Sequence, residues 1–424
     1  MITVEKATGE ILDAIPVLGL ERVNILEALG RVLGEDVFAP RNIPPQDNSA
    51  MDGFAVNAED TMGASPENPL LFEIKEDIPA GHMPQKIVGF AEAARIMTGA
   101  AIPRGADAVV RMEDTEMEED RVKILVPVEK GENVRYSGED VRLGELVLPR
   151  GKRVRPAEIG MLASLGRSFV AVHQKPLVAI LATGDELVEV DGLVSPAVIV
   201  SSNSYSLAAQ VVEAGGIPLH IGIAKDRVDD LKEKYQSALR ADIIVSSAGV
   251  SVGDYDLVKD VIQDLGTDIQ FWKVAMRPGR PLVFGTMGGK PVFGLPGNPV
   301  SSMISFEQFV RPAIRKMTGH TALFRKTIQA SLKEKVEKKP GLRYFLRGII
   351  GEEKGKYTVV TTGEQGSGIL KSMVMANGII VLSEDVTKVT RGTMVTVQVL
   401  DDAIHPFTQE SRGKTAGTAD TSCC

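Results

Sequence analysis

The segment PLVAILATGDE, residues 176–186, joins an apolar run to a turn that carries two acids. Two similar segments follow it, ADIIVSSAGVSVGDYD at residues 241–256 and KPVFGLPGNPV at residues 290–300. In each segment, an apolar run of strand length ends in glycine and polar residues. Helical patterns lie between the strands, at residues 205–214 and 228–239. Because repeated strand–helix units form a mostly parallel sheet covered by helices, we expect a central three-layer α/β domain.

A long helix is predicted directly after the third segment. Asn298 followed by Pro299 is typical of a helix start, since asparagine caps free amides and proline needs no amide donor there. The helical pattern continues to about Met317. Residues 4–18 and 26–33 show a similar pattern, so two more helices are expected near the N-terminus.

The chain is long enough for several domains. Its 424 residues exceed the usual domain size of about 100–200 residues. Short β patterns before the α/β region predict a β-rich insertion, and those after it predict a terminal β-barrel. The predicted regions are a discontinuous scaffold domain (1–50 and 141–174), a β-rich inserted domain (51–140), the α/β domain (175–322), a C-terminal β-barrel (323–403) and a disordered tail (404–424).

Composition excludes several classes of protein. Hydrophobic residues make up 43% and charged residues 25% of the chain, and no apolar run reaches the roughly 20 residues of a membrane helix. The net charge of -8 gives no reason to expect nucleic acid as a partner. The two cysteines, Cys423 and Cys424, stand at the extreme end, and no secretory signal precedes residue 4. We therefore expect a cytoplasmic protein without structural disulfides.

The chemistry is expected at the carboxyl ends of the strands, where loops and helix starts converge in an open parallel sheet. Acids in these loops suit Mg²⁺, and basic residues there suit a phosphate or another oxyanion. The acids are Asp185, Glu186, Asp226 and Asp256, and the basic residues are Lys273, Arg277 and Arg280. The alternative is that single acids such as Asp226 only cap turns. The pattern predicts a phosphorylated ligand held with a divalent metal.

The GVSVG string at residues 249–253 permits two interpretations. It matches the G-x-S-x-G turn of serine hydrolases, with Ser251 as the nucleophile. Such an enzyme needs a later histidine, and the available ones fall at a domain boundary and in the tail. The other interpretation is that Gly249 and Gly253 let backbone amides approach a phosphate, with Asp256 at the following helix start.

Three hydrophilic strings lie outside the α/β region. They are PPQDNSAMDGFA at residues 44–55, RIMTGA at 95–100 and NVRYSGED at 133–140. Their small and polar residues are unsuited to core strands. For each string alone, a capped turn and a binding site are equally good interpretations.

Together these strings resemble the molybdopterin molybdenumtransferase family, MoeA and the related E domains of gephyrin and its plant counterpart. The resemblance covers about residues 3–400. The matching blocks occur in the family's order: DNSAMDGFA, RIMTGA, GED, TGDEL, SAGVSVGDYD, PGRP and GLPGNPVS.

The resemblance implies an elongated four-domain homodimer, with residues 1–50 and 141–174 in the dimerisation domain. Its active cleft would lie between subunits, and its α/β domain would be similar to the molybdopterin adenylyltransferase of the preceding step, with which contact is expected. The implied reaction is Mg²⁺-dependent insertion of molybdate into adenylylated molybdopterin with release of AMP. Tungstate insertion is an open alternative, and a role as a scaffold alone is a third class.

The family's functional residues match individual positions here. The implied catalytic residues are Asp52, Thr98, Asp140, Glu186, Asp226 and Asp256, of which Glu186, Asp226 and Asp256 are expected to hold Mg²⁺. The implied substrate-binding residues are Arg135, Gly249, Ser251, Gly253, Lys273, Arg277, Pro296, Pro299, Ser301, Arg347 and Ser372. We expect Lys273, Arg277 and Ser301 to receive molybdate. Arg277 and Arg280 stand where lysines are common in the family, and an arginine binds oxyanions with a different, planar geometry.

Overall fold

The structure is a computed structural model that describes residues 1–193, 195–248 and 257–401. The described chain divides into two compact units. One consists of residues 22–172, and the other of residues 1–21 together with residues 173–401. The finer division into four domains stays a prediction. None of the helices in the described ranges is long and apolar enough to cross a membrane.

A six-stranded sheet is the main element of the unit formed by residues 22–172. In sheet order its strands are Ala108–Arg111, Gly53–Val56, Glu92–Ile96, Leu70–Ile78, Arg121–Ile124 and Thr115–Glu118. Successive residues of one strand enter different clusters: Val109 packs with Ile78 and Ile96, whereas Val110 packs with Phe54 and Phe72. The alternation of a pleated strand therefore buries apolar side chains on both sides of this sheet.

Smaller elements complete this unit. The two-stranded pairs are Leu20–Asn24 with Phe169–His173, Val37–Phe38 with Leu146–Leu148, and Asn48–Ser49 with Val134–Arg135. The helices are the short 3-10 turns Ala58–Thr61 and Met112–Asp114 and the α-helix Pro156–Ser164. Arg155 begins the α-helix, and its backbone amide donates to the Glu158 carboxylate at 2.9 Å, which is a capping-box contact.

The helix predicted at residues 26–33 is wrong, because residues 25–30 form consecutive turns and Val32 and Leu33 make isolated β-bridges. The Asn24 side chain accepts from the Leu26 amide at 3.0 Å, and the Asn24 carbonyl accepts from Glu27 at 2.9 Å. Gly30 then adopts a positive φ of 78°, which ends the helical path. The apolar spacing gave a helical pattern, but asparagine and glycine chemistry decided the local structure.

A second six-stranded sheet, the central sheet, organises the other unit. Its strands in order are Ile217–Ala224, Leu177–Thr183, Ile243–Ser247, Lys290–Leu295, Pro281–Met287 and Asp268–Lys273. The first four run parallel, and the last two each pair antiparallel with the preceding neighbour. The α-helices of this unit are Val4–Ala14, Ser202–Ala214, Val228–Ala238, Leu257–Asp264, Pro299–Ser305, Arg311–Met317 and Lys371–Met375.

Alternate residues of the central sheet contribute to two hydrophobic clusters. Val178 and Ile180 pack with residues of helices Val4–Ala14 and Ser202–Ala214. Ala179 and Leu181 pack in the other cluster, which contains residues from Val228–Ala238 and Leu257–Asp264. The long helix predicted after Asn298 is present to Met317, and its middle turn, Phe306–Val310, is a π-helix.

A closed five-stranded β-barrel ends the described chain, as predicted. Its strands in order are Arg343–Glu353, Lys356–Thr361, Thr327–Leu332, Met394–Val399 and Gly378–Leu382, and the last pairs again with the first. Gly378 permits close packing inside the barrel, since a β-carbon there would lie 2.6 Å from the Ile350 side chain. Short strand Met276–Arg277 pairs in parallel with the start of Arg343–Glu353, which connects the barrel to the loop between two strands of the central sheet. The remaining short strands are Leu187–Val188, Ile199–Val200, Val336–Glu337 and Lys388–Val389.

Candidate functional site

A cavity of about 450 Å³ opens at the carboxyl ends of the central strands, where the sequence places a ligand. We call it the strand-end cavity. It is lined by Glu186, Leu187, Ile199, Val200, Ser201, Ser202, Asn203, Ser247, Ala248, Pro281, Pro296, Gly297, Asn298 and Pro299. Three predicted site residues, Glu186, Pro296 and Pro299, are therefore brought to one place. Its volume lies within the usual range for small-molecule sites.

Asn203 connects two walls of the strand-end cavity by a hydrogen bond. It stands in the first turn of helix Ser202–Ala214, and its side-chain amide donates to the Gly297 carbonyl at 2.8 Å. The neighbouring hydroxyls of Ser201 and Ser204 are buried and lie 2.8 Å apart. The start of this helix and the GLPGNP loop are thus fixed relative to each other. Sequence reasoning did not single out Asn203, although its position at a helix start was a usable signal.

An acidic edge lies beside this cavity. The backbone amide of Asp226 donates to the Asp185 carboxylate at 3.2 Å. Lys225 is fixed here as well, because its ammonium donates to the carbonyls of Asp185 and Leu187, each at 3.2 Å. Burial raises the pKa of Asp226, and repulsion from the Asp185 and Glu186 carboxylates adds to that increase. Negative charge is therefore crowded at this edge, and a nearby cation would relieve it.

The predicted Mg²⁺ site stays a prediction. Carboxylate oxygens are suitable ligands for Mg²⁺, and the mutual repulsion of Asp226 and Glu186 fits a cation between them. No group of three or more metal-ligating side chains occurs among residues 1–193, 195–248 and 257–401. The third predicted ligand, Asp256, lies outside the described residues, as do Gly249, Ser251 and Gly253. Both interpretations of the GVSVG string therefore stay predictions.

A second cavity, of about 640 Å³, lies where the barrel meets the loop between central strands Asp268–Lys273 and Pro281–Met287. We call it the basic cavity. Its lining residues are Arg277, Pro278, Glu334, Lys335, Val336, Glu337, Lys338, Lys339, Tyr344, Leu346, Arg347, Thr361, Gln365 and Gly366. Five of these described residues are basic and two are acidic. In a chain of net charge -8, such a local excess of positive charge marks a place for an anion.

Arg347 is the most deeply buried charge of the basic cavity, with 0% of its surface exposed. Its Nε donates to the Ser372 hydroxyl at 3.0 Å, and its Nη2 donates to the Gly366 carbonyl at 3.1 Å. Its Nη1 has no hydrogen-bond partner within the described part of the chain. Burial lowers the pKa of Arg347 to about 10, so the group remains charged at neutral pH. A buried cationic donor without a partner is costly, and an anion would satisfy it.

Gln365 holds the backbone at Arg347. Its carbonyl oxygen accepts from the Arg347 amide at 2.9 Å, and its amide donates to the Arg347 carbonyl at 3.2 Å. The same amide reaches the Thr362 hydroxyl at 3.2 Å. Sequence reasoning missed Gln365, although the glycine-rich string TGEQGSG at residues 362–368 resembles a ligand-binding turn.

The two cavities share a wall. Pro278 lines the basic cavity and Pro281 lines the strand-end cavity, so one short segment borders both. A second link is the amide of Val300, which donates to the Ser367 carbonyl at 3.1 Å. Ser367 follows Gly366 of the basic cavity, and Val300 follows Pro299 of the strand-end cavity. Ligands in the two cavities would therefore be neighbours.

Two residues expected to receive molybdate do not line either cavity within the described chain. Lys273 is half-buried at the end of strand Asp268–Lys273, and its carbonyl accepts from the Ile2 amide at 3.1 Å. Ser301 is buried in the helix that begins at Pro299. Arg277 instead lines the basic cavity together with Arg347, another substrate-binding residue that the resemblance implies.

In the unit formed by residues 22–172, the three hydrophilic strings meet. The Asp52 carboxylate accepts from the Thr98 amide at 2.6 Å and from the Thr98 hydroxyl at 2.7 Å. These two hydrogen bonds, the backbone one first, lower the pKa of Asp52. Arg135 pairs with Asn48 in a short antiparallel ladder, which brings the third string to the first.

Asp140 occupies the other end of that third string. Its backbone amide donates to the Ile43 carbonyl at 3.0 Å, and its side chain is exposed. The strings are thus assembled by backbone pairing, while Asp52, Arg135 and Asp140 remain exposed to a ligand.

Comparison with family models accounts for most of the chain. "MoeA N-terminal region (domain I and II)" matches residues 2–166, "Probable molybdopterin binding domain" matches residues 179–316, and "MoeA C-terminal region (domain IV)" matches residues 329–400. The strand-end cavity lies within the second match and much of the basic cavity within the third.

Individual relatives agree with these matches. A molybdopterin molybdenumtransferase 2 from Mycobacterium tuberculosis is 41% identical over 383 residues, covering 88% of this chain and 94% of that protein. A molybdopterin molybdenumtransferase from Staphylococcus aureus is 37% identical over 385 residues, covering 90% and 91%. A solved molybdopterin biosynthesis MoeA protein from Pyrococcus horikoshii superposes with a TM-score of 0.80 at 32% identity, covering 94% of this chain and 100% of that one. The chain therefore belongs to the MoeA family of molybdopterin molybdenumtransferases, transferases of molybdenum cofactor biosynthesis.

Proposed function

We propose that this chain inserts molybdate into adenylylated molybdopterin, with release of AMP, in a Mg²⁺-dependent reaction in the cytoplasm. The observation that carries the proposal is the basic cavity, which is lined by exposed Arg277 and by buried Arg347, a residue with a donor that no described group accepts. The transfer brings together two anionic groups, a tetrahedral oxyanion and a pyrophosphate. The site must therefore hold each anion separately and reduce the repulsion between them.

The basic cavity receives the oxyanion in this proposal. Arg277 offers its donors at the cavity surface, and Arg347 supplies a buried positive charge. Because Arg347 is wholly buried, the anion reaches its Nη1 only when the guanidinium shifts toward the cavity. The hydroxyl of Ser372 is already committed, since it accepts from Arg347 and donates to the Ile369 carbonyl at 2.6 Å. Ser372 therefore orients Arg347, and the arginine makes the contact with the oxyanion.

The strand-end cavity receives the adenylylated pterin. Its lining combines apolar residues such as Ile199 and Pro281 with the polar groups of Ser202 and Asn298, which is the usual character of a small-molecule site. Phosphates at this edge are placed by the loops that follow the parallel strands. We propose that the Gly249–Gly253 string also contacts these phosphates.

The residues that we propose to hold Mg²⁺ are Glu186 and Asp226, together with Asp256. The raised pKa of Asp226, caused by burial and by neighbouring carboxylates, supports this choice because a cation would favour its charged form. When bound, Mg²⁺ would polarise the pyrophosphate as a Lewis acid. Lys225 adds a fixed positive charge at the same edge, since its ammonium is held by two backbone carbonyls.

The shared wall supports separate binding of the two anions. Residues 278–281 separate the oxyanion from the pyrophosphate, and the Val300–Ser367 hydrogen bond keeps the two sides together. Repulsion between the bound anions is thereby limited until the pterin sulfurs meet the oxyanion. The pterin sulfurs then bond to molybdenum as oxygen leaves molybdate as water, and a water molecule cleaves the phosphoanhydride bond, so AMP leaves the strand-end cavity and the pterin keeps its phosphate. Lys273 and Ser301 remain proposed contributors to anion binding.

Asp52, Thr98, Arg135 and Asp140 are proposed to act in a homodimer, as the family resemblance implies. Mixing of an inactive Asp52→Ala chain with an inactive Asp226→Ala chain should then restore part of the activity. Verified subunit exchange without any rescue would argue against a shared cleft. We also propose contact with the molybdopterin adenylyltransferase. The α/β domain is expected to be similar to that enzyme, and the two hydrophobic clusters of the central sheet support the three-layer arrangement that this similarity implies.

The test uses purified chain, adenylylated molybdopterin, Mg²⁺ and a titration of molybdate. AMP release and transfer of active cofactor to an apo-molybdoenzyme should both rise with molybdate and stop when Mg²⁺ is removed. Parallel titration with tungstate separates a tungsten-inserting enzyme from a molybdenum-inserting one. AMP release that is independent of both metal oxyanions would contradict the proposal.

A further inference from the structure

Tyr344 holds an unusual position in the basic cavity. It lies in strand Arg343–Glu353, where its backbone pairs with Arg277 on one side and with Leu382 on the other. Only 8% of its surface is exposed. The ring is therefore fixed by the barrel and by the strand Met276–Arg277.

Two cations lie over the Tyr344 ring. The guanidinium carbon of Arg277 is 5.6 Å from the ring centroid, and the ammonium of Lys338 is 4.9 Å from it. Both separations lie within the distance at which the negative face of an aromatic ring attracts a cation. The tyrosine hydroxyl makes a long contact of 3.4 Å with the Lys339 amide, so the ring is the main point of interaction.

The two cations differ in what they can offer a ligand. The Lys338 ammonium donates to the carbonyls of Leu342 at 2.9 Å and Glu384 at 3.3 Å, so its donors are used. Arg277 has an exposed side chain and makes neither a hydrogen bond nor an ion pair through its guanidinium with any other described residue. Arg343, the next basic residue along the barrel strand, is instead paired with Glu5 and Glu384. Arg277 is thus held by a contact that leaves its N–H groups without a partner among the described residues.

This geometry has a chemical consequence for anion binding. A guanidinium donates hydrogen bonds within its plane, whereas an aromatic ring attracts it through the π face. A salt bridge to a carboxylate would occupy the in-plane N–H groups with which a guanidinium binds an oxyanion. Contact with Tyr344 orients the Arg277 guanidinium and leaves these N–H groups available. It also reduces the conformational freedom of the side chain that would be lost when an anion binds.

We propose that Tyr344 is a positioning residue of the oxyanion site, holding the Arg277 guanidinium ready to bind one edge of a tetrahedral dianion. The proposal rests on the assignment of the basic cavity to molybdate. It adds to that assignment a residue that acts through Arg277 and makes no contact with the anion. It also gives a physical role to arginine at position 277, since its flat fork can lie over a ring and still donate to two oxygens.

The test replaces Tyr344 with phenylalanine and then with mono-, di- and trifluorinated phenylalanines in the full-length chain. Fluorine withdraws charge from the ring face with little change in ring shape, so the fold is preserved while the attraction weakens. Molybdate affinity is measured by calorimetry. We expect phenylalanine to stay within about twofold of the native Kd, and the fluorinated series to weaken binding stepwise to about three- to tenfold.

A double-substitution cycle with Arg277→Ala separates positioning from damage to the fold. Tyr344→Leu should weaken molybdate binding when Arg277 is present and should have no further effect in the Arg277→Ala chain. Additive losses would show a general structural role and overturn the proposal. Tyr357→Leu is the matched control, because it removes a barrel tyrosine that does not line the cavity.

The outcomes distinguish this inference from the function on which it depends. Native chain that binds no molybdate overturns both. If the native chain binds molybdate but fluorination of the ring leaves the Kd unchanged, only the role of Tyr344 is overturned. A stepwise rise of the molybdate Kd with fluorination, together with non-additive losses in the double-substitution cycle, supports the role of Tyr344 and the assignment of the basic cavity to molybdate.

Discussion

Nε of Arg347 donates a 3.0 Å hydrogen bond to the Ser372 hydroxyl, and both side chains are buried. Replacement of Ser372 by alanine leaves a second donor of this guanidinium without a partner. We expect Ser372→Ala to lower the free energy of unfolding by about 1–3 kcal/mol, the usual cost of an unsatisfied buried donor. Urea denaturation measures this loss, and molybdate calorimetry should show weaker binding in the same variant.

The control is Ser164→Ala, which removes a hydroxyl that donates to the Gly160 carbonyl on an exposed helix surface. Its stability should change much less, since water replaces the lost contact. Equal effects of the two substitutions would show that the Arg347–Ser372 contact has no special role.

The contact between Asp52 and Thr98 predicts a pH effect. Hydrogen bonds from Thr98 lower the pKa of Asp52 below its ordinary value of 3.8. A lowered folded-state pKa means that the contact stabilises the fold above pH 3.8 and loses this effect as the pH falls through the folded value. Thr98→Val removes the hydroxyl donor and should raise the pKa of Asp52. Carboxyl-carbon NMR titration measures the change.

Thr98→Ser is the conservative control for that titration, because it restores a hydroxyl at the same position. It should return the pKa of Asp52 toward the native value. A pKa that is unchanged in Thr98→Val would mean that the hydroxyl contributes nothing to the charge state of Asp52.

Asp226 should show the opposite behaviour. Burial and nearby carboxylates raise its pKa, so its charged form destabilises the fold at neutral pH and this cost disappears as the pH falls. Without divalent metal, Asp226→Asn should therefore melt at or above the native temperature at pH 7. Native protein should gain thermal stability from MgCl₂, and the asparagine variant should gain less.

Asp264→Asn is the control for this effect, since Asp264 is an exposed acid paired with Lys232. It should respond to MgCl₂ as the native chain does. An equal response of the Asp226→Asn chain would remove Asp226 from the proposed metal site.

A buried ion pair predicts a large stability effect near the π-helix. Glu307 is 3% exposed at its side chain and accepts from Arg325 at 2.9 Å and 3.1 Å. Glu307→Ala leaves that arginine partly unpaired in the interior and should lower the free energy of unfolding by about 3–5 kcal/mol. Chemical denaturation measures the loss.

The matched comparison is Glu337→Ala, which breaks an exposed pair with Lys335. Exposed pairs contribute little because water and salt screen them, so the urea midpoint should hardly move. A similar midpoint for Glu307→Ala would contradict a stabilising role of the buried pair.

Sequence reasoning went furthest where local patterns decide structure. The strand–helix alternation predicted a mostly parallel sheet because each unit is short and regular. The barrel followed from repeated short β patterns, and the three hydrophilic strings were singled out before Asp52 and Thr98 were seen in contact. The helix predicted at residues 26–33 failed, because turn chemistry at Asn24 and Gly30 outweighed the apolar spacing.

Long-range contacts set the limit of such reasoning. Arg277, Lys273 and Ser301 were expected to receive molybdate together, and Arg277 lines one cavity with Arg347 of the barrel, a pairing that no local pattern indicates. Neither Tyr344 nor Gln365 could be assigned a role from spacing, because their partners belong to other elements. The pairing of Met276–Arg277 with the barrel strand is a tertiary contact that no local pattern encodes.

In our proposal, the basic cavity holds the metal oxyanion. It is tested most directly by anomalous diffraction at the molybdenum edge from crystals of the full chain soaked in molybdate. We predict a molybdenum peak in the cavity, within about 3–5 Å of the guanidinium nitrogens of Arg277 and Arg347. The peak should be lost in Arg277→Ala crystals. A molybdenum peak found only in the strand-end cavity, in native crystals, would contradict the account.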